Sequence, residues 1–262
     1  MGFKNMITFI TAFRKFKPPF DIIQHSVMYS WKANNIKVIA PFNEVGLKEK
    51  LKNQDNITLI EGVKRARELG FSNQSPIVRD LIDKALLYID TILVAYINSD
   101  IIISENFSQI IQKIIDKYGY DFYAVGSRLN IELKECINTS ERYKKVFAQE
   151  KENYDESTSS DIFIASKFNW RKIIHEMPDY ILGRWGWDNY LHMRGEILNL
   201  KKYNCSDILP ILHCKHNFRH IFLQEKAWER EAPSTQYNMA LWEKTRSVYG
   251  TTRISNWPKM EI

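Results

Sequence analysis

Asn98-Ser99-Asp100 follows the apolar run Ile92 to Ile97, and two of its three side chains are oxygen donors. Alternate residues of an extended segment point to the same side, so Asn98 and Asp100 can face one ligand together. A carboxylate at the end of a buried strand is costly unless something neutralises it, and a divalent cation is one such partner. The competing reading is an Asn/Asp turn between strands, which the apolar Ile101 to Ile103 that follows makes less simple. Far downstream, His213 and His216 stand three apart after the apolar stretch Ile208 to Leu212. Three readings stay open for them: one of the pair completes a cation site with Asp100, both are ordinary histidines, or they join Cys205 and Cys214 around zinc. The last spacing matches no usual zinc framework.

A third cluster is Gly183-Arg184-Trp185-Gly186-Trp187-Asp188-Asn189. Two tryptophans separated by one glycine suit a sugar platform, with Trp185 and Trp187 stacking on a pyranose while Asp188 and Asn189 take its hydroxyls. A carboxylate facing an acceptor hydroxyl can act as general base. Asp188 is equally placed to cap a helix that starts beside it. Arg79, on a helix introduced by Ser75-Pro76, reads as a clamp on a diphosphate or as a solvated helix charge. No glycine-rich phosphate loop of the GxxxxGK[ST] or GxGxxG kind is present, and the chain has 10 glycines in all. Phosphates would therefore be held by a divalent cation and basic side chains.

These residues need a scaffold, and the composition allows one. The chain has 262 residues, 44 % hydrophobic and 26 % charged, which excludes a disordered or fibrous polymer. The run Ile92 to Ile97 is far short of a bilayer span, and the N-terminus lacks the pattern of a signal peptide. Three scattered cysteines fit a reducing cytoplasm. A net charge of +6 with 13 % aromatics suits anionic or sugar-like ligands. Lys and Arg are interspersed with acids rather than gathered in a stripe, so no nucleic-acid partner is expected.

Along the first half, short β-rich runs (Met6 to Phe13, Lys37 to Phe42, Ile57 to Ile60, Thr91 to Ala95, Phe122 to Val125) alternate with helical patterns (Asp21 to Lys32, Ser75 to Leu86, Phe107 to Tyr118). This alternation predicts an α/β fold with a mostly parallel central sheet flanked by helices. Ligands of such sheets bind at the carboxyl ends of the strands, which brings Thr11 to Arg14 and Asn98 to Asp100 to one crevice. Residues 130–160 are polar and read as a mobile excursion holding a short helix near 140–150. The segment from Arg219, with Trp228, Trp242 and Trp257 among Lys and Arg, reads as a helical cap on the sheet, an acceptor subsite or a surface resting on a membrane.

Taken in order, Thr11-Ala12-Phe13, Ser30-Trp31, Ser75-Pro76-Ile77-Val78-Arg79, Asn98-Ser99-Asp100, Gly183 to Asn189 and the two histidines resemble the GT-A glycosyltransferases, in particular the family-2-like nucleotide-diphospho-sugar transferases. The resemblance spans about residues 6–218. It implies a transferase domain over 1–218, with a flexible loop at 130–160, and an aromatic, basic extension over 219–262 packed on it. Asn98-Ser99-Asp100 then stands in place of the metal-binding DxD motif, with Asn98 where the first Asp usually stands and Asp100 touching the metal. His213 or His216 would complete the shell around Mn²⁺ or Mg²⁺. Thr11, Phe13, Arg14, Arg79, Asn98, Ser99 and Asp100 would bind the nucleotide-sugar, Asp188 would be the catalytic base, and Trp185, Trp187 and Asn189 would meet the acceptor. The implied activity is metal-assisted transfer of a sugar to a hydroxyl of a glycan or lipid-linked acceptor, in the cytoplasm, with peripheral membrane contact through the extension. A nucleotidyltransferase would show a glycine-rich N-terminal loop, and Thr11 to Pro19 has no glycine. A carbohydrate-binding module would need neither Asp100 nor the histidines.

Overall fold

The computed structural model describes residues 6–42, 46–133, 135–149, 156–216 and 232–262. Nine strands form one sheet: β1 (Ile7–Ile10), β2 (Lys37–Pro41), β3 (Ile57–Ile60), β4 (Leu93–Ile97), β5 (Ile101–Ile103), β6 (Tyr123–Ile131), β7 (Glu156–Ser166), β8 (Lys202–Asn204) and β9 (Ile211–Cys214). Their order is β3-β2-β1-β4-β7-β6-β9-β5, with β8 also paired to β6. Strands β3, β2, β1 and β4 run parallel, as do β8 and β9 with β6, whereas β7 is antiparallel to both β4 and β6. The mostly parallel sheet expected from the alternation is therefore present.

Both faces are covered, as a parallel sheet requires. Side chains alternate across each strand. Phe9 and Ala95 face one layer, with Trp31 of α1 (Phe20–Ala33) and Phe107 and Ile111 of α4 (Phe107–Tyr118). Ile10, Val94 and Tyr96 face the other, where they meet Leu81 and Ile82 of α3 (Val78–Ala85), Trp170 of α6 (Lys167–Ile174) and Leu191 of α7 (Trp187–Ile197).

Two features differ from the sequence reading, and a third selects among its alternatives. The helix α3 starts at Val78 rather than at Pro76, because Pro76 bridges Arg65 and Ile77 bridges Ile181 before the helix begins. The 130–160 segment contains the expected helix, α5 (Ser140–Gln149), but strands enter it from both sides, and Ile137 and Tyr143 are fully buried. Tyr143 lies edge-on to Tyr29 of α1, which anchors the helix to the body. The third concerns the C-terminal segment. Its helix α8 (Pro233–Tyr249) packs on α7, and Trp242 and Trp257 are buried in the second core layer. Of the readings open for this segment, core packing describes those two tryptophans. Trp228 and the 218/219 boundary lie outside the described residues. Among the described residues, no helix is long and apolar enough to cross a membrane.

Candidate active site

The pairing of β1 with β4 sets Ile10 beside Tyr96, so the residues that follow each strand emerge side by side. Thr11 is buried between the strand ends, and its N–H donates to the Ile39 carbonyl at 3.1 Å. Arg14 is fixed by a residue the sequence reading passed over. Gln24, fully buried on α1, accepts from the Arg14 N–H at 2.7 Å and donates to the Arg14 carbonyl at 3.0 Å. The Arg14 guanidinium lies over Phe20, 5.1 Å from the ring centre.

Asp100 lies in the connection between β4 and β5, is 5 % exposed, and faces both histidines. His216 Nε2 is 3.1 Å from Asp100 Oδ2, and His213 Nε2 is 3.7 Å from the same oxygen. Strand β9 positions His213 opposite Ile101 and beside Asn130 of β6, and Phe20 backs the His216 ring at 4.8 Å. His213 Nδ1 lies 2.9 Å from Asn130 Oδ1. With Nδ1 donating there, deprotonated Nε2 would offer its lone pair to a cation, the arrangement of a metal-ligating histidine, whereas protonated Nε2 faces Asp100 as a donor. Burial alone would raise the Asp100 pKa, but hydrogen bonds from the two histidines and the Arg14 charge reverse that and hold the carboxyl well below its ordinary range.

Asp100, His213 and His216 each offer one ligand atom, and these atoms lie within 4.8 Å of one another. Asp100 Oδ1 is buried and finds no hydrogen-bond partner among the described residues. A buried carboxylate oxygen with no donor, beside two inward imidazole nitrogens, fits a divalent cation. The structure therefore brings together Asp100 and both histidines. Cys205 and Cys214 are buried with their thiol pKa values pushed up by burial, Cys205 to about 12, and among the described residues neither belongs to the Asp100, His213 and His216 group.

Two residues missed in the sequence reading extend the site. Asp161 of β7 is 1 % exposed, accepts from Asn98 Nδ2 at 2.7 Å and pairs with Arg128 at 3.0 Å. Its Oδ2 is buried and unpartnered among the described residues, as is Thr11 Oγ1. Burial pushes the Asp161 pKa up, Arg128 only partly offsets this, and Asp100 adds to it. In sequence Asp161 directly precedes the apolar run Ile162 to Ala165, a carboxylate set against a buried segment, and it lies within β7.

Asp188 lies in the first turn of α7, where its Oδ1 accepts from the Asn189 N–H at 2.9 Å. Burial raises its pKa, the amides of the turn partly offset this, and the charge of Asp161 raises it further. Gly186 makes the turn possible: its φ is +103°, and a Cβ there would lie 3.1 Å from Trp242 Cβ. Trp185 and Trp187 do not share a face. Trp187 is buried against Tyr96 at 5.1 Å and Phe163 at 5.7 Å, whereas Trp185 is 42 % exposed and edge-on to Trp242. Trp185 precedes the helix and lies at the surface, while Trp187 begins it and packs into the core, so in this structure the two rings do not form one flat platform. Phe13 is likewise core, packed on Trp31 and Phe16, and it anchors the loop that carries Arg14. Ser99 is buried, and Asn98 also accepts from the Tyr96 hydroxyl at 3.1 Å. Arg79 pairs with Asp179 at 2.9 Å, an acid that Lys64 also holds at 2.6 Å.

No protein-family model matches the chain, and no curated protein matches it in sequence. Among solved structures, Staphylococcus aureus TarS matches with a TM-score of 0.51 at 12 % identity, over 80 % of this chain and 36 % of that one. A TarS fragment, 1–349, matches with a TM-score of 0.50 at 12 % identity, over 79 % of this chain and 60 % of the fragment. The same fragment in complex with UDP-GlcNAc matches with a TM-score of 0.50 at 12 % identity, over 93 % of this chain and 73 % of the fragment. The likeness shows the GT-A fold. The chain spans about a third of the longer TarS chain and three fifths of the uncomplexed fragment.

Proposed function

We propose that this chain is a glycosyltransferase that moves a sugar from a nucleotide-diphosphate donor to a hydroxyl of a glycan or lipid-linked acceptor. The observation that carries the reading is the buried Asp100, with one oxygen unpartnered among the described residues and two imidazoles facing the other, at the strand ends where a GT-A sheet takes its ligand. The structural neighbour solved with UDP-GlcNAc makes that nucleotide-sugar the first donor to try.

Asp100, His213 and His216 would hold the divalent cation, which when bound supplies positive charge against a diphosphate leaving group. One oxygen and two imidazole nitrogens suit Mn²⁺ better than Mg²⁺. Arg14 adds a cation on the same side, its backbone held by two hydrogen bonds with the Gln24 side chain. Arg79 would have to leave Asp179 to reach a phosphate. Asp161 and Arg128 offer an acceptor and a donor for sugar hydroxyls beside Asn98.

In an inverting transfer the acceptor oxygen attacks the anomeric carbon and its proton passes to Asp188. The bond from that carbon to the diphosphate breaks, and the nucleoside diphosphate leaves with the electron pair. The raised pKa makes Asp188 a better base than an exposed aspartate, at the cost of being protonated at a higher pH. In a retaining transfer Asp188 positions the acceptor instead. Slow hydrolysis of a nucleotide-sugar panel with Mn²⁺ tests the class. Release of a nucleoside diphosphate supports transfer, release of a monophosphate or pyrophosphate contradicts it, and glycan binding without turnover marks a binding module.

A further inference from the structure

The end of the sheet opposite the candidate site, where β4 begins, presents large apolar side chains that transfer does not use. Leu87 and Tyr88 after α3, Ile92 ahead of β4 and Phe168 at the start of α6 are 74 %, 59 %, 53 % and 66 % exposed. Lys167 ties the two segments together, its N–H donating to the Ile92 carbonyl at 2.8 Å and its Nζ to the Ile89 carbonyl at 2.8 Å. Between them lies a shallow hollow of about 400 Å³, bounded by Thr91, Ile92, Ser166, Phe168 and Arg171. Clustered exposed apolar side chains on a globular chain mark a contact surface.

The charge around this cluster narrows what it contacts. Arg171 and Lys172 follow Phe168 at i+3 and i+4, so all three share one face of α6. The Lys172 ammonium stands 4.1 Å from the Phe168 ring centre. Neither cation has an ion pair among the described residues, whereas Asp90, the acid bordering the hollow, is taken by Lys37 at 3.0 Å. A second copy of the chain packed about a two-fold axis would set Arg171 and Lys172 against their own like charges. An anionic bilayer meets both features. Aromatic and aliphatic tips enter the boundary between headgroups and acyl chains, while cations on flexible stems reach the lipid phosphates.

We infer that this end of the molecule docks on an anionic membrane surface through Leu87, Tyr88, Ile92 and Phe168, with Arg171 and Lys172 meeting phospholipid headgroups. The candidate active site then faces the aqueous side, and none of the residues invoked belongs to the 219–262 segment. The full chain is sedimented with vesicles of phosphatidylcholine alone and of phosphatidylcholine with phosphatidylglycerol. Binding is expected to the second only, to weaken roughly thirtyfold in R171A/K172A, and to be lost in I92S/F168S. All four positions are at the surface, and circular dichroism confirms that the variants fold. Absence of binding to the anionic vesicles, undiminished binding by both variants, or a dimer that the variants dissociate would each overturn the inference.

Discussion

Asn98 donates its side-chain amide to Oδ1 of Asp161 at 2.7 Å, across the adjoining strands β4 and β7. The resemblance puts an aspartate at 98, yet a carboxylate there would face the buried carboxylate of Asp161 with no proton between them. Asn98 is thus matched to Asp161, the pair sharing one buried carboxylate and one amide donor.

The Asn98→Asp variant therefore creates two carboxylates in one buried site. One of them is pushed up in pKa and is uncharged only in acid. A raised folded-state pKa lowers stability above that pKa, so the variant should melt several degrees lower at neutral pH, at about 1–3 kcal/mol of destabilisation. The deficit should shrink as pH falls toward the carboxylate range. N98D/D161N exchanges the roles and should recover most of the loss in a double-mutant cycle read by thermal unfolding.

Asp100 is the pivot of the cation group, and its removal should be visible without turnover. Mn²⁺ at a hundredfold excess over its dissociation constant should stabilise the wild-type chain by about 2.7 kcal/mol. Thermal melts of Asp100→Ala should show little or no Mn²⁺-dependent rise. His213→Ala and His216→Ala should each give a partial loss.

For Asp188 the expected signature is kinetic. Asp188→Asn should keep donor affinity while kcat falls by roughly 10²–10⁴-fold. The wild-type rate should fall as pH drops through the raised Asp188 pKa, at a higher pH than an exposed aspartate would give. The variant should lose that limb. Loss of donor binding would assign the residue to the donor site instead.

His192 bears on stability alone. It is buried, stacks on Phe163 at 5.6 Å and bonds Ser160 at 3.0 Å, and burial lowers its pKa to about 4. The unfolded chain takes up this proton near pH 6.5 and the folded chain does not until about 4. Stability should thus fall as pH drops through that window, by roughly 3 kcal/mol in all. Denaturant titrations across the window should show a shallower fall for His192→Gln.

The fold was legible where patterning is strong. The alternation of apolar runs with amphipathic helices signals the sheet, and Asp100 announces itself as a charge at the end of a buried strand. Asp161, next to the apolar run Ile162 to Ala165, carries a similar signal, although the strand extends on both sides of it. Spacing says nothing of contacts between distant strands, so the Asn98–Asp161 pair and the support of Arg14 by Gln24 emerge only in three dimensions. The spacing of the two tryptophans does not reveal that Trp185 precedes the helix and Trp187 begins it, a break set by the left-handed Gly186. Ser75-Pro76 resembles a helix start, but bridges to Arg65 and Ile181 claim Pro76 and Ile77 first.

The most direct test is a crystal soaked with a nucleotide-sugar, UDP-GlcNAc first, and Mn²⁺. The expected result is a cation bound by Asp100 and at least one of His213 and His216, with the diphosphate against it and the nucleoside beside Thr11 to Arg14. A donor bound elsewhere with the Asp100 group left out, or a cation enclosed by protein ligands with no room for phosphate, would contradict the proposed transferase site.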